Sequence, residues 1–227
     1  ARFSARQRTQ GAKPPLLHAD DLGLGAGVDH AIFELVQSGR LDGASLLVNG
    51  PTAKTAINTW RQLPNPPALY LHLCLTEGPG DSANVDLPTS FGRLFLASCF
   101  PWQRRRLKPQ IRRSLRQQIS RYKQLTGANA IHLDGHQHVH LIPMVLDTVL
   151  GLAQSEQVTW IRTTAEPLPT DLPLHLWRDC VRQGGALKWV VLQCLTWLAK
   201  PKLRNAAVGT NGSFAGVLFT GRMTGEA

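Results

Sequence analysis

Short apolar runs alternate with helix-spaced apolar residues along most of the chain. Runs of strand length occupy Leu16 and Leu17, 44–48, 68–75, 130–134 and 159–163, with a sixth candidate at 205–208. Apolar residues recur at helical spacing within 28–36, 52–63, 111–126, 143–155 and 186–198. Strands that alternate with helices are typical of a parallel sheet or barrel. We therefore predict an α/β fold with a (β/α) barrel-like parallel sheet.

Three segments depart from this alternation. Residues 77–109 have no clear period and contain many Gly, Pro and Ser residues, which predicts a long loop or lid. Residues 1–14 form a basic polar leader, which we expect to be flexible, before a single catalytic domain over 15–227. The most apolar segment, 186–199, is interrupted by Lys188 and Gln193 and is shorter than the roughly 20 residues that span a bilayer, so it predicts no transmembrane helix.

Charge and cysteine content bear on location and partners. The formal net charge is +10, and many of the cations fall in the segment 104–123, whose apolar stripe predicts a helix with a basic face. We interpret that face first as a solvated surface, with peripheral contact to an anionic membrane as the alternative. Nucleic-acid binding is not favoured, because aromatic residues do not interleave with the cations. The four cysteines are scattered, which suits reduced thiols, and no secretory signal follows the leader; we therefore predict a cytoplasmic protein.

Polar clusters follow three of the predicted strands. They are His18-Ala19-Asp20-Asp21, then His72, then the segment from His132 to His140. The carboxyl ends of parallel strands meet at one mouth, so these clusters are predicted to converge. One carboxylate and two neutral imidazoles bind a divalent cation and leave positions open for water and substrate. The pattern predicts metal-assisted hydrolysis, in which one aspartate binds the ion and its neighbour accepts a proton from water.

Simpler explanations exist for each cluster taken alone. Asp20 and Asp21 could cap a helix or form a solvated turn, and His72 could be a hydrogen-bonded histidine near a strand end. The third cluster is harder to explain in this way. If the chain stays extended, the even-numbered residues from His132 to His140 share one face, and each would need a polar partner in a core. A metal site is the favoured interpretation of that cluster.

The same segments resemble the YdjC-like carbohydrate deacetylases, the group that contains chitooligosaccharide deacetylase. HADDLG at 18–23 is similar to the family's NADDFG opening, and LHLCLTEG at 71–78 is similar to its His-Leu-x-Leu-Thr-x-Gly segment. HLDGHQHVH at 132–140 is similar to its HLDSHxHVH segment. SLLVNG at 45–50 and GVLFTGR at 216–222 extend the resemblance towards the carboxyl terminus. The hopanoid-biosynthesis-associated branch of the family is one candidate subgroup.

The resemblance implies a polysaccharide-deacetylase-like barrel and hydrolytic removal of an acetyl group from a small N-acetylated sugar. It implies one divalent ion, Mg²⁺ or Zn²⁺, with Asp21, His72 and His136 as its ligands. Asp20 would be the general base and His140 the acid that protonates the leaving amine. Asp134, His138 and Arg162 would orient the ligands or contact substrate. The family continues beyond the position of Ala227 into a segment with a His-Pro motif, so the resemblance implies a barrel that is incomplete at its carboxyl end.

Two other function classes stay open from the residues alone. The ligands do not encode the acyl group, so a metal-dependent phosphoesterase or another amidohydrolase would use the same centre. A noncatalytic protein that binds anionic lipid or nucleic acid through its basic helix is the third class, and it leaves the aspartate and histidine clusters unexplained. Homo-oligomer formation is left open by the sequence.

Overall fold

The fold is built on a parallel sheet. We describe a computed structural model over residues 15–76, 87–169 and 173–218. Its five parallel strands are ordered as in the chain: β1 (His18–Leu22), β2 (Gly43–Leu46), β3 (Ala68–Leu73), β4 (Ile131–Gly135) and β5 (Val158–Ile161). The helices are α1 (Ala26–Gln37), α2 (Ala53–Arg61), α3 (Phe91–Cys99), α4 (Pro101–Thr126), α5 (Pro143–Glu156), α6 (Leu174–Arg182) and α7 (Gly185–Asn205). The predicted parallel α/β architecture is confirmed.

The sheet is strongly curved, and its polar face is the concave one. The ring of Tyr70 on β3 lies 4.7 Å from the ring of His18 on β1 and 5.1 Å from that of Trp160 on β5. Beyond these rings, Asp20 on β1 accepts a hydrogen bond at 2.7 Å from Arg162, which directly follows β5. Side chains from the first and fifth strands therefore meet across the inner face. This curvature is consistent with the predicted barrel-like architecture.

The opposite face of the sheet carries the hydrophobic core. Leu71 and Leu133 are register partners on β3 and β4, and both are fully buried. They belong to one core cluster with Ile111 and Leu115 of α4 and Val145 of α5. Burial of each such side chain stabilises the fold by about 2 kcal/mol. On β3 and β4, polar residues on the inner face alternate with apolar residues on the outer face, which directs the functional side chains of these strands inward.

The predicted loop over 77–109 is wrong for its second half. Residues 91–99 form α3, and α4 begins at Pro101, ten residues before the predicted start. Ser90 caps α3 by accepting a hydrogen bond from the backbone N–H of Arg93. Pro109 lies inside α4, where it removes one backbone hydrogen bond, and buried Leu107 and Ile111 on either side of it hold the helix to the core.

The carboxyl-terminal part also differs from the prediction. α7 continues through Pro201 to Asn205, so the sixth strand predicted at 205–208 does not form. Only Gly209 pairs with the sheet in this region, through a parallel bridge to Trp160. α6 was not predicted. Its apolar residues are largely exposed, with Cys180 as its buried contact.

Some predictions concern residues outside the described ranges. They are the leader at 1–14, the part of the predicted lid at 77–86, and positions 219–222 of the late motif. The division into a leader and one domain stays a prediction. Among the helices in the described ranges, none has the length and apolar character needed to cross a bilayer.

Candidate metal centre

The two aspartates lie within β1 at a backbone irregularity. The pairing of β1 with β2 shifts register between Ala19 and Leu22, and Asp21 has a positive φ of 66°. Neighbouring strand residues normally face opposite sides of a sheet, and this irregularity turns Asp21 away from that alternation. Aspartate tolerates the left-handed conformation better than most residues, at a cost on the order of 1 kcal/mol. The result is that Asp20 and Asp21 both contribute to the polar mouth, with different partners.

Asp21 meets two histidines from distant parts of the chain. Its Oδ1 lies 2.9 Å from Nδ1 of His136 and 3.2 Å from Nε2 of His72. One potential ligand atom from each of the three residues lies within 4.8 Å of the others. Ligands held at about 2.0–2.2 Å from one Zn²⁺ ion are themselves about 3–3.6 Å apart, and the two distances from Asp21, 2.9 and 3.2 Å, are close to that range. His72 is buried, whereas Asp21 and His136 are partly exposed, which leaves one side of the cluster open to solvent.

The charges around His72 favour a cation at its Nε2. Burial opposes the charged form of this imidazole, but the carboxylates of Asp134 and Asp21 outweigh burial and raise the pKa of His72 to about 10. Burial likewise opposes ionisation of Asp21, but hydrogen bonds with His136 and His72 hold the pKa of that carboxyl well below its usual range. A site that favours a proton so strongly between an imidazole and a carboxylate also suits a divalent ion, which supplies positive charge at the same place.

Asp134 is the buried centre of the supporting network. Its Oδ1 lies 2.7 Å from Nδ1 of His72, an arrangement that leaves Nε2 of His72 directed at Asp21. Its Oδ2 accepts a hydrogen bond at 2.5 Å from the hydroxyl of Ser45 and lies 2.5 Å from Nη2 of Arg162. Burial alone would raise the pKa of Asp134, but Arg162 and His72 hold it well below its usual range. A carboxylate that orients a ligating histidine is typical of protein metal sites.

A second group of potential ligands is already paired with a cationic side chain, Arg162. His18, Asp20 and Asp134 also offer ligand atoms within 4.8 Å of one another. However, the Arg162 guanidinium lies 2.7 Å from Asp20 and 2.5 Å from Asp134, so it supplies the positive charge there. Burial opposes the charge on Arg162, but Asp134 and Asp20 outweigh it and raise its pKa above the usual value. Of the two groups, Asp21, His72 and His136 are therefore the better candidates to hold an ion.

His18 and Ser45 complete the network on the side of β1 and β2. The Ser45 hydroxyl has one proton, which it donates to Asp134, so Nε2 of His18 at 2.7 Å must donate to the Ser45 oxygen. Burial and the nearby Arg162 lower the pKa of His18 to about 4, so the ring is neutral at pH 7. The sequence analysis included His18 in a converging cluster without giving it a role, and it did not assign Ser45 to the site. The feature that could have pointed to Ser45 is a hydroxyl residue in an otherwise apolar strand, because such a hydroxyl, which is fully buried on the inner face here, needs a polar partner.

The chain does not stay extended through His140, so the condition for a shared face of its histidines is not met. β4 ends at Gly135, and His136–Leu141 forms a 3-10 turn in which Gln137 and His138 have positive φ values of 52° and 59°. The histidines of this turn therefore do not share one face. A Cβ at position 135 would lie 2.8 Å from Nδ1 of His140, which explains why glycine suits the point where the turn folds back.

The turn separates His138 and His140 from the three candidate ligands. Nε2 of His140 donates to the backbone carbonyl of Arg162 at 2.8 Å, and burial lowers the pKa of His140 to about 4. His138 packs against the rings of His140 and Phe214, and burial lowers its pKa well below the usual value. Phe214, which also lies 5.8 Å from the Arg162 guanidinium carbon, was not predicted as part of this region. His140 therefore supports the segment that carries Arg162, and His138 packs beside it.

Comparison with known proteins gives consistent matches. The chain is 31% identical over 145 residues to a chitooligosaccharide deacetylase from Serratia marcescens, covering 62% of this chain and 56% of that protein. It is 32% identical over 154 residues to a carbohydrate deacetylase from Mus musculus, covering 65% of this chain and 49% of that protein. The chain thus spans about half the length of these curated relatives. A solved chain from Enterococcus faecalis V583 superposes over 72% of this chain and 64% of its own, with a TM-score of 0.48 and 20% identity, a likeness too weak to support an inference.

The family comparison covers nearly the whole chain. A family model described as YdjC-like protein matches residues 16–227, which include all the site residues described above. The match begins next to β1 and extends past α7. The chain therefore belongs to the YdjC-like protein family.

Proposed function

We propose that this protein is a metal-dependent hydrolase that removes the acetyl group from an N-acetylated sugar. The observation that carries the proposal is the convergence of Asp21, His72 and His136 beside a separate carboxylate, Asp20, that has its own cationic partner. A cluster of buried polar groups that only stabilised the fold would need hydrogen-bond partners and nothing more. This cluster instead provides three ligand atoms, an open side and an adjacent proton acceptor, which are the parts that amide hydrolysis requires.

In this proposal Asp21, His72 and His136 would hold a divalent ion, Zn²⁺ or Mg²⁺, which would supply Lewis acidity towards a carbonyl group and a water molecule. Asp20 accepts a proton from the attacking water as the water oxygen forms a bond to the amide carbon. Arg162 donates to Oδ1 of Asp20 at 2.7 Å and so fixes the orientation of that carboxylate. When the carbon–nitrogen bond breaks, the proton passes to the leaving nitrogen, and acetate and a free amine are released.

Asp20 can deliver that proton itself after accepting it from water. His140 was the acid implied by the family resemblance, and this role stays a prediction. Its contacts favour a supporting role, because its Nε2 already donates to the Arg162 carbonyl and a pKa of about 4 leaves it neutral at pH 7. A neutral imidazole is a weak acid towards an amine. We therefore assign His140 to positioning Arg162.

The substrate class in the proposal comes from the relatives, which are named for carbohydrate deacetylation. The geometry of the described residues supports the proposed metal ligands and the proposed proton acceptor, but these residues alone do not select an acyl group. Since the chain spans about half the length of those relatives, both the activity and the sugar are proposed for this protein rather than transferred to it.

The test is acetate release from N-acetylglucosamine and its short β-linked oligomers. Protein freed of metal with a chelator would be assayed alone and after addition of Zn²⁺ or Mg²⁺, with the Asp20→Asn variant beside it. We expect metal-dependent acetate release that Asp20→Asn reduces by about 10³-fold or more while metal binding stays intact. Asp179→Asn, an exposed substitution on α6, is the matched control and should keep full activity.

Three results would contradict the proposal. Release of phosphate from phosphoesters without acetate release would assign the same centre to a phosphoesterase. Acetate release that persists without metal, or that Asp20→Asn leaves unchanged, would exclude the proposed roles of the ion and of Asp20.

A further inference from the structure

The positive charge of this protein is concentrated in one segment. Residues 87–133 contain ten of the 25 Lys and Arg residues and no Asp or Glu. The other 15 cations are matched by the 15 acidic residues of the chain, so this segment accounts for the whole net charge of +10. Such segregation produces a surface field of one sign, which attracts anionic partners over distances of about 10 Å.

Most of these cations lie on the outer face of α4. The inner face of this helix is buried against the core through Leu107, Ile111 and Leu115. Within the described ranges, Arg104 and Lys123 form ion pairs with Asp147 and Glu156, and the other eight cations have no ion-pair partner. The exposed members on α4 are Arg104, Arg105, Arg106, Lys108, Arg112, Arg113, Arg116 and Arg121. The fold therefore presents these cations to solvent instead of neutralising them.

Large apolar side chains are exposed where this basic face begins. Leu96, Phe100 and Trp102 are 60%, 44% and 64% exposed, and the Phe100 and Trp102 rings lie 4.9 Å apart. Trp102, Arg105 and Arg106 are spaced i, i+3 and i+4 on α4, so they share one side of the helix. We call Leu96, Phe100, Trp102, Arg105, Arg106 and Lys108 the basic-aromatic corner.

The corner lies at the same end of the sheet as the candidate metal centre. α4 ends at Thr126 and leads into the start of β4, so its beginning lies towards the carboxyl ends of the strands. Arg104, near the start of α4, pairs with Asp147 in the first half of α5. α5 itself follows directly after the turn that carries His136. A surface that docks at this corner would therefore be on the side of the molecule from which the site opens.

We propose that the basic-aromatic corner docks this protein on an anionic lipid bilayer. Cationic side chains are attracted to anionic headgroups, while tryptophan and phenylalanine enter the boundary between headgroups and acyl chains. The corner presents cations and apolar side chains next to each other, which matches the anionic headgroups and the apolar acyl chains of a bilayer. A nucleic-acid backbone would neutralise the cations but would offer no apolar layer to Leu96 or Phe100. The proposal concerns the location of the protein and does not depend on its proposed deacetylase activity.

The expected effects follow from the composition of the corner. Each Lys or Arg near an anionic membrane surface raises the partition coefficient of the protein between water and membrane about fivefold (about 1 kcal/mol). Replacing Arg105, Arg106 and Lys108 with Gln should therefore weaken binding by about a hundredfold. Trp102→Ala removes an apolar contact of the exposed ring and should weaken binding by about tenfold. These side chains are exposed, so neither variant should lower the thermal stability of the fold.

The test is co-sedimentation of the full chain with vesicles. One set contains phosphatidylcholine and phosphatidylglycerol in equal parts, and the other contains phosphatidylcholine alone. The proposal predicts binding to the first set that weakens with added salt, and little binding to the second. Arg40→Gln, Lys200→Gln and Arg204→Gln together form the charge control, because these exposed cations lie outside the basic segment. Trp197→Ala is the aromatic control, since Trp197 is 73% exposed on α7.

The controls decide between the corner and its alternatives. Equal losses in the corner triple and the control triple would mean that only net charge matters and would overturn the proposal. A loss with Trp197→Ala but not with Trp102→Ala would assign docking to α7 instead. If the protein binds duplex DNA more tightly than anionic vesicles and Trp102→Ala has no effect on either, the partner is a nucleic acid and the proposal is wrong. Absence of binding to anionic vesicles at low salt would also refute it.

Discussion

Replacement of Asp134 with asparagine probes the network beneath the candidate metal centre. The substitution keeps the size of the side chain and removes its charge, at a position that is fully buried. In the native protein this carboxylate lies 2.5 Å from the Arg162 guanidinium and 2.7 Å from the His72 imidazole. Loss of one partner from a buried ion pair leaves an uncompensated charge in the interior and costs about 3–5 kcal/mol.

The expected loss is large relative to the stability of a domain of this size. Domains unfold with free energies of about 5–15 kcal/mol, so Asp134→Asn should remove more than half of the total at the lower end of that range. His72 should also lose the partner that orients it, and the loss of such a partner lowers metal affinity by about 10–100-fold. Urea unfolding of the metal-free protein measures the first effect, and calorimetric titration with Zn²⁺ measures the second.

Asp147→Asn is the matched control for this prediction. Asp147 also lies between two cations, Arg104 and Lys202, but its side chain is 33% exposed. Exposed ion pairs contribute about 0–1 kcal/mol, so the control should change stability little and metal affinity not at all. The reasoning would be refuted if Asp134→Asn cost less than about 1 kcal/mol, or no more than Asp147→Asn. It would also be refuted if Asp134→Asn left Zn²⁺ affinity unchanged.

Two further predictions concern pH and packing. His18 and His140 have pKa values lowered to about 4 in the folded state, against 6.5 when unfolded, so each should remove up to about 1.4 kcal/mol of stability per pH unit as pH falls from 6.5 to 4. Urea unfolding at several pH values measures this slope, and a stability that stays flat over that interval would exclude it. Gly50→Ala would place a Cβ against the backbone carbonyl of Gly23 and should destabilise the fold by several kcal/mol, whereas Gly151→Ala, at an open position in α5, should stabilise it by about 1 kcal/mol. Thermal melts of both variants test this, and an equal change in the two would contradict it.

The parts of the site that the sequence predicted depend on strand ends. Asp21, His72 and His136 lie in or directly after separate strands, and the parallel topology brings strand ends together regardless of sequence distance. Arg162 directly after β5 follows the same rule. Convergence of these residues was therefore predictable from alternation of strands and helices together with residue type.

The parts that were missed depend on local backbone geometry. The direction of the chain after Gly135 is set by positive φ values at Gln137 and His138, and such values are too uncommon in non-glycine residues for the sequence alone to predict them. The link from His18 through Ser45 to Asp134 depends on the register between β1, β2 and β4, which apolar periodicity does not specify. The early start of α4 was hidden by Pro109, which normally marks a helix boundary.

The central claim is that one divalent ion binds Asp21, His72 and His136. The most direct test is a crystal structure of the protein soaked with Zn²⁺, with anomalous diffraction at the zinc edge to locate the ion. The account predicts one ion at bonding distance from Oδ of Asp21 and from one ring nitrogen each of His72 and His136. An ion bound instead by His18, Asp20 and Asp134, with Arg162 displaced, would contradict it. The absence of any ion at Asp21, His72 and His136 would also contradict it.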